Sequence, residues 1–152
     1  MDTSITQAMM ECNPHGPLMI HIVKLYPTHD GQSFSAFGKI YSGTVKPGDQ
    51  VKVLGEGYSP DEDSEDMTIA TISAVSIPRG RRRTAVSMAV AGNWVLLDGI
   101  DATIAKTATI TGCKQTSDDS VYIFHPLRFP QVSFMSCLKN TSVFVEFYFF
   151  TL

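Results

Sequence analysis

The chain has 152 residues, 43% of them hydrophobic and 18% charged, which excludes wholesale disorder and suits one domain with room for a tail. Twelve Lys and Arg against fifteen Asp and Glu leave a net charge of −3. That balance argues against a cationic sleeve for nucleic acid but leaves a local basic patch open.

The opening MDTSITQAMMECNPHG has no basic n-region and no long apolar run, so it does not read as a secretory signal. Instead it predicts one short helix. Asp2, Thr3 or Ser4 can cap it, and Ile5, Ala8 and Met9 share a face at helical spacing. Asn13-Pro14-His15-Gly16-Pro17 ends it. From there the chain is β-like. Leu18 to Tyr26 and Phe34 to Ser42 are strand candidates, separated by the turn pair Asp30-Gly31. Lys46-Pro47-Gly48-Asp49 predicts a type II turn, because proline fixes φ at the first central position and glycine accepts positive φ at the second. Gln50 to Leu54 returns as a strand.

Gly55 to Asp66 is a polar loop holding Asp61, Glu62, Asp63, Glu65 and Asp66. Like charges at this density favour an extended, solvated loop, and the spacing fits no calcium-loop template. Met67 to Ile77 alternates with one slip, Pro78 to Arg83 is a basic turn, and Thr84 to Val90 is the next strand candidate. A turn at Ala91-Gly92-Asn93 precedes the short apolar strand Trp94 to Asp98. Lys106 to Thr111 is rich in threonine and β-branched residues, and Val121 to Phe129 is the last strand expected. About seven short strands with frequent turn signals argue for an all-β fold, a closed barrel or a sandwich. Closure would remove the unpaired edge N–H and C=O groups of a small open sheet. Glycines 38, 43, 48, 92 and 99 read as turn, bulge and close-approach positions.

Residues 130–152 differ. They hold five of the nine phenylalanines and only two charges, Lys139 and Glu146. Such a β-prone, nearly uncharged segment aggregates unless covered. It is too short to span a bilayer as a helix, and no run of about twenty apolar residues occurs elsewhere. Cysteines at 12, 113 and 137, with no CxxC, signal neither a disulfide framework nor a zinc site, and a reducing compartment is the default. An intracellular soluble domain is expected.

Catalytic signatures are missing. No GxxxxGK[ST], HExxH, GxSxG or EF-hand loop occurs, and Gly55-x-Gly57 lacks the third glycine of a dinucleotide fingerprint. The histidines at 15, 21, 29 and 125 are scattered, and His21, within an apolar run, reads as a structural strand residue. The motifs describe a binding domain rather than an enzyme. The strongest contact candidates are Arg79, Arg81, Arg82 and Arg83. Arginines in a turn reach phosphates and stack on bases; the alternative is a solvated loop balanced by the acidic one. Phe34, Phe37, Tyr41, Trp94 and Phe129 stand in apolar strand contexts. They read as core or rim packing, with stacking platforms for single-stranded RNA as the alternative.

The text from Cys12 to about Phe129 resembles the second domain of the elongation-factor-two-like GTPases. It is carried by CNPHGPLMIHIVKLYPTHDG, FSAFGKIYSGTVKPGDQVKVLGEGYSP and VAGNWVLLDGIDATIAKTATI. Within the family it is most similar to the splicing branch, the large GTPase of the U5 small nuclear ribonucleoprotein (snRNP). The text shared with that branch is Val53-Leu54-Gly55-Glu56 with Tyr58, the acidic run 61–66, Gly92-Asn93-Trp94-Val95-Leu96 and VYIFHPLRF. The resemblance implies a translation-factor domain II barrel over 18–129. A linker over 1–17, with a short helix or coil, precedes it, and a divergent, poorly ordered tail over 130–152 follows. It further implies a nuclear docking role in pre-mRNA splicing, with U5 snRNP proteins and snRNA as partners and neither DNA nor membrane. The family's GTPase domain, the natural packing partner of this barrel, has no counterpart in the sequence. GTP and magnesium therefore belong to the full-length family, and no cofactor is expected on this chain. The alternatives are a piece of translation elongation factor two, acting on the cytoplasmic ribosome, and a free-standing β-barrel interaction module. Two stretches depart from the pattern: Ser76 to Val90 matches poorly, and after Phe129 the likeness stops, which predicts a truncated gene model or a retained intron.

Overall fold

A computed structural model describes residues 3–28, 31–58, 66–80, 82–113 and 122–126. Helix α1, Thr3–Met10, opens the chain. Its last turn closes with two bonds: the Cys12 N–H donates to the Met9 carbonyl at 3.2 Å and the Asn13 N–H to that of Ala8 at 2.9 Å. This is a Schellman cap with Cys12 in the left-handed position, at φ 49°. The cap turns the chain onto the sheet. There Gly43 N–H donates to Asn13 O at 2.9 Å, Thr44 Oγ1 to Pro14 O at 2.8 Å and Ser42 Oγ to Pro17 O.

Ten strands follow: β1 Met19–Pro27, β2 Phe34–Ser42, β3 Thr44–Val45, β4 Gln50–Leu54, β5 Met67–Thr71, β6 Ala74–Arg79, β7 Arg82–Ala85, β8 Ala89–Val90, β9 Trp94–Asp98 and β10 Ala108–Gly112. A 3₁₀ turn spans Asp101–Thr103. Eight strands form one antiparallel sheet in the order β5-β4-β10-β1-β2-β9-β6-β7, and β3 pairs with β8 beside it. Strands β2, β4 and β9 have the bounds expected from the sequence. Gly48, at φ 90°, occupies the glycine position of the expected type II turn.

The inward face is a cluster of β-branched and small residues. Ile20 and Ile22 of β1, Ala36 and Ile40 of β2, Val51 and Val53 of β4, Val75 of β6, Val95 and Leu97 of β9, and Ala108 and Ile110 of β10 are all buried in it. These residues recur every second position, as the pleat requires. The run from Met67 to Arg79 serves both ends of the strand order. Its first half pairs with β4 and its second half with β9. At the bend the Ile72 N–H donates to Asp49 O at 3.0 Å and the Ser73 N–H to Asp98 O at 2.9 Å. The slip in the alternation at Ile72 is therefore a change of partner strand. Gly99, at φ 89°, lets β9 approach the bend; a Cβ there would lie 2.9 Å from Ser73 Oγ and 3.0 Å from Thr71 O.

Three expectations need correction. The single strand expected over Thr84 to Val90 is two short ones, because Val86 makes the last bond to β6, at 3.0 Å to Val75 O, and the chain then leaves for β3. The basic turn is tighter than the run of charge suggests. Pro78 faces Arg83 and Arg79 faces Arg82 as strand partners, and Gly80 takes the turn at φ 60°. The strand expected over Val121 to Phe129 joins no ladder within 122–126. The Phe124 N–H donates instead to the Thr109 hydroxyl at 2.9 Å. Residues 127–152, with the expected tail, lie outside the described residues, as do 59–65 of the acidic loop.

Gly38 marks the closest approach of β1 and β2: a Cβ there would sit 2.5 Å from His21 O and 2.7 Å from Ile22 Cδ1. Gly38→Ala must push two core strands apart and should cost about 1–3 kcal/mol. Urea unfolding followed by the fluorescence of Trp94, the single tryptophan, reads this as a lower midpoint at unchanged slope; an unchanged midpoint would contradict the close approach.

Candidate interaction surface

The β6–β7 hairpin leans over the outward face of the sheet, and the arginines divide in role. Arg83 shares a face with Pro78 in the register. Its guanidinium donates to Ser35 Oγ at 2.7 Å and to Pro27 O at 3.2 Å. It is a brace from the hairpin to the ends of β1 and β2. The side chains of Arg79 and Arg82, exposed and opposite one another, have no hydrogen-bond or ion-pair partner among the described residues. Arg81 lies outside the described residues.

Beneath the hairpin lies a pocket of about 310 Å³ lined by Tyr26, Phe37, Pro78, Gly80, Arg82, Arg83 and Leu96. Phe37 and Trp94 stack at 4.9 Å with planes 15° apart, and Tyr26 meets Phe37 edge-on at 5.7 Å. Lys24 Nζ stands 5.2 Å from the Tyr26 ring, within cation–π range. Trp94 is 44% exposed and Phe34 46%. Strand contexts suggested core or rim packing, but the alternation of β2 and β9 turns Phe37, Tyr41 and Trp94 away from the core; Phe129 lies outside the described residues. No sequence signal joined Tyr26, Phe37 and Leu96 to the arginines, because their meeting depends on where the hairpin folds.

A second aromatic cluster covers the outward face at β1. The His21 ring stacks on Phe124 at 4.8 Å, 13° from parallel, and Tyr41 meets Phe124 at 4.9 Å. His21 is buried, and its Nε2 has no hydrogen-bond partner among the described residues. Burial without a partner disfavours the imidazolium and pulls its pKa below the ordinary 6.5. His21 is therefore the structural strand residue that its apolar context suggests. Among the described residues no group of three His, Cys, Asp or Glu side chains is placed to hold a metal ion.

The family model of elongation factor Tu domain 2 matches residues 34–111, the span from β2 to β10. The 109 kDa U5 small nuclear ribonucleoprotein component GFL of Arabidopsis thaliana is 50% identical over 128 residues, 84% of this chain and 13% of the relative. The 110 kDa component CLO of the same plant gives the same figures. The pre-mRNA-splicing factor cwf10 of Schizosaccharomyces pombe is 46% identical over 129 residues, again 84% of this chain and 13% of the relative. The chain thus spans about an eighth of the length of the curated relatives it matches. These relatives are of the splicing kind that the loop text and Gly92 to Leu96 indicate.

Two measurements test the assignments of side chains. Arg83→Ala removes two hydrogen bonds from a charged donor and should cost about 1 kcal/mol, whereas Arg82→Ala should stay within about 0.5 kcal/mol of the parent. Equal urea midpoints for the two variants would remove the brace. For His21, the folded state resists the proton that the unfolded state accepts below about pH 6.5. Stability is thus full above that value, falls as pH drops toward the depressed folded pKa, and is level below it. His21→Phe keeps a ring against Phe124 without a titrating group, so its urea midpoint should change less between pH 7.5 and 5.5 than the parent's; equal changes would dismiss the buried neutral imidazole.

Proposed function

Because the chain belongs to the elongation factor Tu domain 2 family, we propose that it is a non-catalytic docking and switch-coupling domain of the splicing machinery, built like the second domain of the U5 GTPase. The observation that carries this reading is 50% identity over 128 residues to a U5 snRNP component, spread along the domain rather than confined to one motif. The family also supports closure of the sheet into a barrel. The run Met67 to Arg79, bonded to β4 at one end and to β9 at the other, is the element that closes it. A closed wall leaves fewer free edges and presents its outward face as a rigid docking surface.

In this reading the domain works in the nucleus, among U5 proteins and snRNA. A GTPase domain packs against the barrel and passes nucleotide state to it. GTP and magnesium belong to that neighbouring domain, and nothing in this chain's motifs assigns either one here. Arg79, Arg81 and Arg82 form the partner-facing cluster, and Arg83 sets the angle of the hairpin that carries them.

Affinity capture from nuclear extract with the tagged chain tests the proposal. U5 snRNP proteins should co-purify, and the double substitution Arg79→Glu with Arg82→Glu should reduce their yield several-fold without changing the unfolding midpoint. Co-sedimentation with ribosomes would replace this reading with the translation-factor one. Nuclear exclusion together with no U5 capture would leave a free-standing interaction module.

A further inference from the structure

The pocket under the hairpin has a chemistry that the docking reading does not specify. Its walls are apolar: the Pro78 ring, the Leu96 side chain and the rings of Tyr26 and Phe37. Its rim is cationic, with Arg82 exposed and unpartnered among the described residues. Beside it runs β7, the terminal strand of the sheet order, all four of whose residues are exposed. Pairing with β6 uses one edge of β7, and no strand among the described residues pairs with the other.

Three kinds of guest are conceivable on such a face, and the geometry separates them. A nucleobase binds by laying its face on a ring. Here Trp94 covers one face of Phe37 at 4.9 Å, and Trp94 itself does not line the pocket, so a base in the pocket has fewer ring faces to stack on than an open platform gives. A free inorganic anion would use the rim and leave the apolar walls empty. A peptide uses all three features: backbone groups on the open edge of β7, one apolar side chain in the pocket, and carboxylates on Arg82 and Arg79. Edge strand, anchor pocket and opposite charge are the parts of recognition by strand addition.

We infer that the free edge of β7 and the pocket lined by Tyr26, Phe37, Pro78 and Leu96 receive an extended acidic segment of a protein partner. The segment lies along β7, seats one bulky apolar side chain in the pocket and places its carboxylates against Arg82 and Arg79. This deepens the docking reading by naming the partner chemistry at that face, and it rests on that reading for its biological setting. Arg83 contributes position rather than contact, since its guanidinium is committed to Ser35 and Pro27.

The test titrates the full 152-residue chain with a blocked nonapeptide EDEFEVEDE, with EDEAEVEDE, and with decauridylate, reading the emission of Trp94, which stacks on the pocket wall. The phenylalanine peptide should saturate with Kd below about 1 mM. The alanine peptide should bind about tenfold more weakly, and Arg82→Glu, at an unchanged unfolding midpoint, should weaken the first peptide about tenfold. Equal binding of the two peptides would reduce the site to bulk charge, and failure of the phenylalanine peptide to saturate would dismiss it. Tighter binding of decauridylate, lost in Arg82→Glu, would make the face an RNA site and overturn the peptide assignment. Capture of U5 proteins reads out separately: if it persists while the peptide fails, only this inference falls, and if it fails while the peptide binds, only the splicing reading falls.

Discussion

The bend at Ile72 and Ser73 joins two strand pairings, and the rest of the architecture depends on it. The chain reaches it bonded to β4 and leaves it bonded to β9, so one continuous segment links the two sides of the sheet. Ile72 is fully buried at the bend, which ties its backbone hydrogen bonds to the burial of a large side chain. The arrangement needs Gly99 opposite it, since a side chain there would collide with Ser73 and with the Thr71 carbonyl. An inward face of Ile, Val, Leu and Ala suits a tightly curved sheet, because β-branched residues pack densely on a pleated surface.

Once the inward face is filled, the remaining large aromatic side chains take the outward face. The pleat directs Phe37, Tyr41 and Trp94 outward, and two aromatic clusters result. At β1 the cluster is closed by Phe124 over His21, with a buried neutral imidazole as the consequence. At β9 it stays open, with Trp94 at its end and the arginine hairpin above. The difference lies in what covers each cluster: residues 122–126 lie on the first, while a pocket separates the hairpin from the second.

Much of this was legible in the chain itself. Turn signals located β2, β4 and β9 to the residue, because each strand-like run is bounded by turn residues whose φ requirements are strong: Gly31, Gly48 and Gly92 all take positive φ. The splicing likeness was legible too, since VLGEGYSP and GNWVLLDG combine loop text with strand text. The change of partner at Ile72 appeared only as a slip in a pattern. A slip does not say whether a strand bulges or leaves for another neighbour. The segment 122–126 looked like a strand because its residues are β-prone, yet its amide met a threonine hydroxyl instead of a ladder. Propensity reports how a residue suits an extended backbone, and an extended backbone without a partner strand looks the same in sequence.

The order of residues alone determined the all-β class, most of the turn positions and the family. The first two follow from short-range φ limits and strand propensity, which act within a few residues, and the family follows from text shared with its members. Tertiary structure alone decided the division of labour among the arginines, the neutral state of His21 and the pocket shared by Tyr26, Phe37, Leu96 and Arg82. Those depend on distances between residues far apart in the chain. Arg83 is a brace because Ser35 and Pro27 lie within hydrogen-bonding reach, and nothing local to Arg83 distinguishes it from Arg82 beside it.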